Sequence, residues 1–399
     1  MRFSSAFFVA TIALPVFGAP ALVPITKRGG SLKENSYIIM LKDGVSKDSF
    51  LEEFKKVSTH SDSVVVHAYE VINGFSASIA SSDMPSIRGM SGVASIEQDQ
   101  IISLPDQSEV QDLPSLSGGQ PSPSTDNPTQ NGGKGVTIYD LDTGINVDHE
   151  CFEGRARWGW AAPPMLQVDD HGHGTHTAGT AVGKGFGVAT KAHIVAVKVM
   201  NAAGTGSTSD IIGGIDYACK EFKDSGKTSI ITMSLGGAIN DALDEAVRKC
   251  LEWGMHFTIA AGNDNKDAAT VSPARVEQAI TVGAVDKDNV KASFSNFGSI
   301  VDIQAPGVNI VSAGNIGKDS KKTASGTSMA TAGNIGKDSK KTASGTSMAT
   351  PYVAGVIAVA LAEHGQISPA KLSDALKANA KDVCTGMPAG TTKRLATTW

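Results

Sequence analysis

The chain lacks the features that would mark several common functions. It has no positive excess: 35 Lys and Arg stand against 40 Asp and Glu, for a net charge of −5. Nucleic acid is therefore not an expected partner. Past residue 20 no run approaches eighteen consecutive apolar residues, which argues against a membrane span. Cysteine is sparse: Cys151, Cys219, Cys250 and Cys384 match no zinc motif in their spacing. No Asn-x-Ser/Thr sequon is present, because Asn127 is followed by Pro128. What remains is a composition 41% apolar and 19% charged over 399 residues, with 43 glycines. That is globular, and long enough for two or three domains.

The first residues have their own pattern. Arg2 precedes an apolar stretch from Ala6 to Phe17, and small residues follow at Gly18, Ala19 and Ala21. This is the layout of a secretory signal peptide, expected over residues 1–19. A buried helix is the poorer reading, since Pro15 and Pro20 would break it. A secreted, extracellular protein is free to form disulfides, and four cysteines allow two bonds in three connectivities.

Between Ser36 and Leu104 strand and helix alternate. Tyr37–Leu41 is an apolar run closed by Asp43-Gly44, and Ser46 can cap a helix with Phe50, Leu51, Phe54 and Val57 at helical spacing. Val64–Tyr69 and Phe75–Ile79 read as strands joined through Asn73-Gly74, a hairpin signal. A short helix after Ser82-Asp83 and a strand from Val93 to Ile102 complete β-α-β-β-α-β, the ferredoxin-like order. Residues 105–134 are rich in Pro, Ser, Gly, Gln and Asp and read as a linker.

From Gly135 apolar strands alternate with helical segments: Val136–Tyr139, His193–Val199, Ser229–Met233, His256–Ala260 and Ala279–Val282. Several are apolar on both faces, as parallel strands under helices should be. The expected fold is an α/β, doubly wound, mostly parallel sheet, with functional groups at the carboxyl ends of strands. Three motifs fall there. Asp140-Leu-Asp142-Thr-Gly144 follows a strand, and with no second Asp-Thr-Gly it cannot be half of an aspartic-protease pair. His171-Gly-His173-Gly-Thr-His176 holds three imidazoles, but not at the i, i+4 spacing of a helical zinc site. Gly345-Thr-Ser347-Met-Ala-Thr-Pro351 opens an apolar helix, which places Ser347 where backbone N–H groups favour developing negative charge.

A serine hydroxyl needs an imidazole to take its proton, and the imidazole needs a carboxylate to hold its tautomer. Asp142, His173 and Ser347 stand in the chain order Asp…His…Ser. On these motifs the segment from about Val136 to Ala380 resembles the subtilases, closest to the secreted fungal, proteinase K-like branch. The first domain resembles the subtilase inhibitor-type propeptide. The resemblance implies a secreted serine endopeptidase of broad specificity, made as a zymogen. Its propeptide (20–118) serves as intramolecular chaperone and inhibitor of a peptidase domain (119–399). It implies polypeptide substrates, a monomer, no membrane or nucleic-acid partner, and no cofactor for the chemistry. It further implies that Asn263 is the oxyanion-hole amide. Ser234, Leu235, Gly236 and Gly237, with Ala260, Ala261 and Gly262, would line an uncharged P1 pocket suited to apolar or aromatic side chains. Gly204, Thr205 and Gly206 would form the edge strand on which substrate adds. Thr208, where relatives carry a bulky aromatic, suggests a more open distal subsite. Asp302 with the carbonyls of Glu277 and Ala279 is a candidate structural calcium site, an Asp–Lys ion pair being the alternative.

Two features depart from that family. Residues 313–331 recur unchanged at 332–350, so Ser328 and Ser347 both head a Gly-Thr-Ser motif. Ser328 has the more family-like separation from Asn263, but only Ser347 is followed by Pro and a core-forming helix, which decides for Ser347. The duplication keeps a second reading open, an impaired pseudoprotease or binding protein, or a faulty gene model. The linker also lacks the Trp-Gly-Leu segment of fungal relatives, and no cysteine matches the disulfide positions of proteinase K.

Overall fold

The computed structural model of the chain describes residues 22–104, 131–315 and 340–399. The expected leader, most of the linker and Ser328 lie outside the described residues.

The first unit contains β1 (Ile25–Thr26), β2 (Ser31–Leu41), α1 (Lys47–Val57), β3 (Val64–Ala68), β4 (Gly74–Ser78), α2 (Met84–Arg88) and β5 (Val93–Ser103). Its strands lie in the order β1-β5-β2-β4-β3, the expected ferredoxin-like arrangement with β1 added at one edge. Ser46 caps α1, accepting the Ser49 N–H at 3.4 Å, and Phe50 and Phe54 pack on Phe75 of β4. The β3–β4 connection is not the tight turn expected at Asn73-Gly74; it runs from Tyr69 to Asn73. Tyr69, Val71 and Ile72 from this loop are buried against the second unit. Burial at about 1.5–3 kcal/mol per large apolar side chain outweighs the local preference for a two-residue turn.

The second unit contains β6 (Thr137–Asp142), β7 (Ala156–Ala161), α3 (His173–Val182), β8 (His193–Lys198), β9 (Thr205–Ser207), α4 (Thr208–Ser225), β10 (Ser229–Met233) and α5 (Asp241–Glu252). It continues with β11 (His256–Ala260), β12 (Ile280–Val285), β13 (Ile303–Pro306), β14 (Ile310–Ala313), β15 (Lys340–Ala343), α6 (Thr346–His364), α7 (Pro369–Asn379), β16 (Lys381–Asp382) and β17 (Arg394–Leu395). Nine strands form one sheet, β16-β17-β13-β12-β11-β10-β6-β8-β7, parallel except for the β16–β17 pair. Strand order runs away from β6 on one side and from β10 on the other. The reversal between them is where such sheets open a crevice at the strands' carboxyl ends.

Alternation along β6 sorts its side chains between two helical layers. Ile138 joins the cluster containing Ala178 of α3 and Val353 of α6, whereas Tyr139 and Leu141 join the cluster of α4 and α5. Asp140 and Asp142 therefore share the α3/α6 side. Every residue of α6 from Thr346 to Leu361 is buried. This helix is long and apolar enough to cross a membrane, at mean hydropathy 1.3, but 89% of it is covered by the protein's own core.

β14 pairs antiparallel with β15, from Ile310↔Ala343 to Ala313↔Lys340, and β15 belongs to the second copy of the repeat. Of the two disulfides the cysteines allow, one forms: Cys219 of α4 with Cys250 of α5, at a Cα–Cα distance of 5.9 Å. Cys151 and Cys384 are free and buried. The bond closes a 31-residue separation, so the chain-entropy relation assigns it about 3–4 kcal/mol. Reducing it, or replacing both cysteines by Ala, should lower the unfolding free energy by about that amount in a urea titration.

Candidate active site

The crevice is built from the ends of β6 and β10 and the first turns of α3 and α6. Asp142 is the last residue of β6. Both of its carboxylate oxygens lie 2.8 Å from His173 Nδ1, and Oδ1 also accepts the Thr143 N–H at 2.7 Å. Asp142 is 1% exposed and His173 2%. A buried carboxylate at Nδ1 holds the proton on that nitrogen and leaves the Nε2 lone pair free to act as a base. His173 opens α3, and the next residue passes so close to β6 that a Cβ on Gly174 would lie 2.1 Å from the Gly144 carbonyl oxygen. Any side chain there would push the helix, and the imidazole with it, off Asp142.

Ser347 is the second residue of α6 and is 4% exposed. Its hydroxyl donates to the Ser234 carbonyl oxygen at 3.0 Å, and the Ser234 hydroxyl donates to the Ser347 carbonyl oxygen at 2.9 Å. Ser347 thus makes its hydrogen bond to the segment leaving β10 rather than to His173. Such bonds often form only when substrate is in place. Asn263 accepts from both the backbone N–H and the hydroxyl of Thr346, each at 2.9 Å. With its oxygen held, its NH₂ group is the free end, and Asn263, Ser347 and Thr346 line one cavity of about 230 Å³.

Ser234, Leu235, Gly236, Gly237, Ala260 and Gly262 line the same cavity, whereas Ala261 is buried behind it. The wall is not free of charge as expected: Asp264 and Lys266 stand in it, ion-paired at 3.0 Å. Gly204, Thr205 and Gly206 carry a strand from the first unit. β5 pairs antiparallel with β9 through Ile102↔Gly206 and Ser103↔Thr205, and the Leu104 N–H donates to the Gly204 carbonyl at 2.8 Å. Ser103 and Leu104 thereby reach the cavity. A Cβ on Gly237 would come within 2.9 Å of the Ile102 side chain, so a bare backbone is what admits it. Thr208 is fully buried at the start of α4, its hydroxyl 3.4 Å from the Gln100 carbonyl oxygen.

Sequence reasoning missed the residue that sets the start of α3. The Asp169 carboxylate accepts from the N–H groups of His171, Gly172 and Thr175 and from the hydroxyls of Thr143 and Thr175. It is a helix cap supplied from four residues upstream of His173, and the adjacent pair Asp169-Asp170 before the His motif was the available signal. Lys198 was also missed. Its buried ammonium donates to the Thr143 carbonyl at 2.6 Å and to Asp170 at 2.7 Å. Thr346 is the third, as the group that orients Asn263.

The expected calcium ligands do not fit that ion. Asp302 Oδ1 is ion-paired to Lys377 of α7 at 2.5 Å, and Oδ2 accepts the Thr281 N–H at 2.8 Å. Burial pushes its carboxyl up and Lys377 opposes the shift. Among the described residues no three His, Cys, Asp or Glu side chains converge. The cation at Asp302 is an ammonium of the chain itself.

Fold and site together define a serine peptidase carrying its own inhibitor domain, and comparison with known proteins gives the family. Residues 133–395 match the model of the subtilase family, and residues 36–105 match that of peptidase inhibitor I9. The chain belongs to the subtilase family. It is 39% identical over 302 residues to subtilisin-like protease 1 of Trichophyton verrucosum, covering 70% of this chain and 75% of that one. It is 38% identical over 309 residues to subtilisin-like protease 3 of Arthroderma otae, covering 72% and 77%. Among solved structures, a cold adapted subtilisin-like serine proteinase aligns with a TM-score of 0.57 at 39% identity, over 66% of this chain and 88% of that one.

Replacing Thr346 by Val should keep the backbone bond to Asn263 and lose the hydroxyl bond. Peptide hydrolysis should then show kcat falling about 10-fold with KM little changed, short of the ~10²–10³ expected for Asn263→Ala.

Proposed function

We propose that the chain is a secreted serine endopeptidase of broad specificity that works through Asp142, His173 and Ser347. One observation supports this reading: the buried Asp142–His173 pair stands at the carboxyl end of β6, on the side of the sheet that α6 covers, and Ser347 opens α6 beside a cavity that Asn263 lines. Ser347 rotates from Ser234 toward His173, Nε2 takes its proton, and Oγ attacks the substrate carbonyl. Asp142 stabilises the imidazolium that forms. The Asn263 amide and the Ser347 N–H at the start of α6 stabilise the oxyanion. His173 then protonates the leaving amine, and water releases the acyl group. No cofactor enters the reaction. The partners are polypeptide substrates and the chain's own inhibitor domain, and the working form is a monomer without nucleic acid or membrane.

The test is a fluorophosphonate probe on the secreted full chain, followed by mapping of the labelled peptide. Label at Ser347, absent in Ser347→Ala together with loss of propeptide cleavage, supports the triad. Label at Ser328 would move the nucleophile to the first copy, and no label with an uncut chain would favour the pseudoprotease.

The inhibitor domain is held at the start of α4 as well as in the cleft. Asp99 accepts from the Ser209 N–H at 3.0 Å, from the Ser209 hydroxyl at 2.6 Å and from Ser36 at 2.9 Å. A carboxylate at a helix N-terminus is favoured by the backbone dipole. Asp99→Ala should therefore weaken inhibition by the isolated first domain, added in trans to the processed enzyme, by ~10-fold or more.

A further inference from the structure

Two residues before Asp142, on the same strand and the same side of the sheet, lies a second carboxyl that the mechanism does not use. Asp140 is 0% exposed. Its Oδ2 is 2.9 Å from Thr177 Oγ1, and among the described residues its Oδ1 has no partner and no cation pairs with it. Thr177 Oγ1 is also 3.0 Å from the Gly174 carbonyl oxygen. The threonine has one proton for two acceptors, so it either shares that proton between them or gives it wholly to Gly174 while Asp140 supplies the other; the orphaned Oδ1 and the absence of a cation favour the second. The neighbouring carboxyl is in the opposite condition: Asp142 accepts from an imidazole and a backbone N–H. Two buried carboxyls side by side, one well solvated by donors and one not, separate into a charged and a neutral partner.

We propose that Asp140 is a positioning residue of the triad, a neutral carboxylic acid that donates its proton to Thr177 Oγ1. The Thr177 hydroxyl then donates to Gly174 and fixes the first turn of α3, while Asp142 alone presents charge to His173. This rests on the protease reading for its catalytic consequence but not for the protonation state. The groups around Asp140 agree. Asp142 on its own strand and Asp169 before α3 add negative charge and, after burial, raise its pKa. On α3, His173 faces Asp142, and His176 is kept neutral by burial, its pKa lowered to about 3. On β8 the Lys198 ammonium is engaged by Thr143 and Asp170, and the register partners Ala196 and Thr232 are uncharged. Lys341 of β15 interacts with Asp142 and Asp169, and α6 carries no charged side chain before Glu363.

The sign of the pH dependence follows. The folded state keeps a proton that the unfolded chain sheds above about pH 4, so the fold loses stability as pH rises through that value. In the full chain made inactive by Ser347→Ala, adding Asp140→Asn should raise the urea midpoint by a margin that grows from pH 4 to pH 7. The infrared carbonyl band of a neutral acid at pH 7 should disappear in the same variant. Parallel pH curves, or no such band, would overturn the proposal whether or not the chain is a protease. In the active chain, Asp140→Ala should lower kcat by ~10-fold with KM little changed, and Asp140→Asn should recover most of that loss with the acidic limb of kcat/KM unmoved. A limb displaced by ~1 pH unit or more in Asp140→Asn would mean that a charge had been removed, and would overturn it too. Should Asp140→Ala fail to fold, the Asn variant alone decides.

Discussion

The contact on which the rest of the site depends is the one between the Asp142 carboxylate and His173 Nδ1. It joins the end of a strand to the start of a helix, so it exists only if both elements stop and start at fixed places. β6 is fixed by parallel pairing with β8 and β10 on either side. α3 is fixed by Asp169, which gathers the N–H groups around its first turn, and by Gly174, which lets the helix lie against Gly144. A shift of one residue would turn Asp142 to the other face of the sheet, or swing His173 by about 100° around α3. The imidazole would then face no carboxylate.

The same edge explains why the first unit inhibits. β9 is short, and β5 takes its edge by antiparallel pairing. Main-chain pairing alone is weakly selective, so the interface adds anchors away from the cleft. Tyr69, Val71 and Ile72 enter the core beside α4, the Glu70 and Val71 N–H groups both donate to Asp216 at 2.6 Å, and Asp99 meets the start of α4. These contacts do not involve the reacting atoms. They can therefore hold the domain in place on either side of the cleavage that the zymogen reading requires, and release has to come from loss of the whole set.

Much of this was legible in the sequence because it rests on local signals. Strands apolar on both faces gave the parallel sheet, with β10 and β11 at their observed limits, and the Ser46 cap placed α1. Asp142, His173 and Ser347 could be singled out because each sits in a short motif beside a strand or helix end, whereas Asn263 came with the family resemblance. What was not legible depends on partners distant in sequence. Asp169 and Thr346 act through hydrogen bonds that only the closed fold brings together. The Cys219–Cys250 pairing needs α4 and α5 side by side. Lys377 reaches Asp302 from a helix 75 residues further along the chain, and no spacing rule links the two. The β3–β4 loop misled for a similar reason: Asn73-Gly74 is a turn signal, but its neighbours are claimed by the other domain.

The duplication shows how such distant packing overrides local similarity. Both copies contain Lys-Lys-Thr-Ala followed by Ser-Gly-Thr-Ser, so either could supply the strand that pairs with β14 and the serine after it. Local preference cannot separate them, and loop entropy favours the first copy. Using the second lengthens the β14–β15 connection from about seven residues to about 26, close to two doublings, at a cost of about 1.2 kcal/mol. After the first copy the chain continues as Ala-Gly-Asn-Ile-Gly-Lys. After the second it continues as α6, which buries Val353, Val356, Ile357, Val359 and Leu361 among others. At about 1.5–3 kcal/mol for each such side chain, the burial exceeds the loop cost several times over. The helix that follows, not the motif before it, selects which copy pairs with β14.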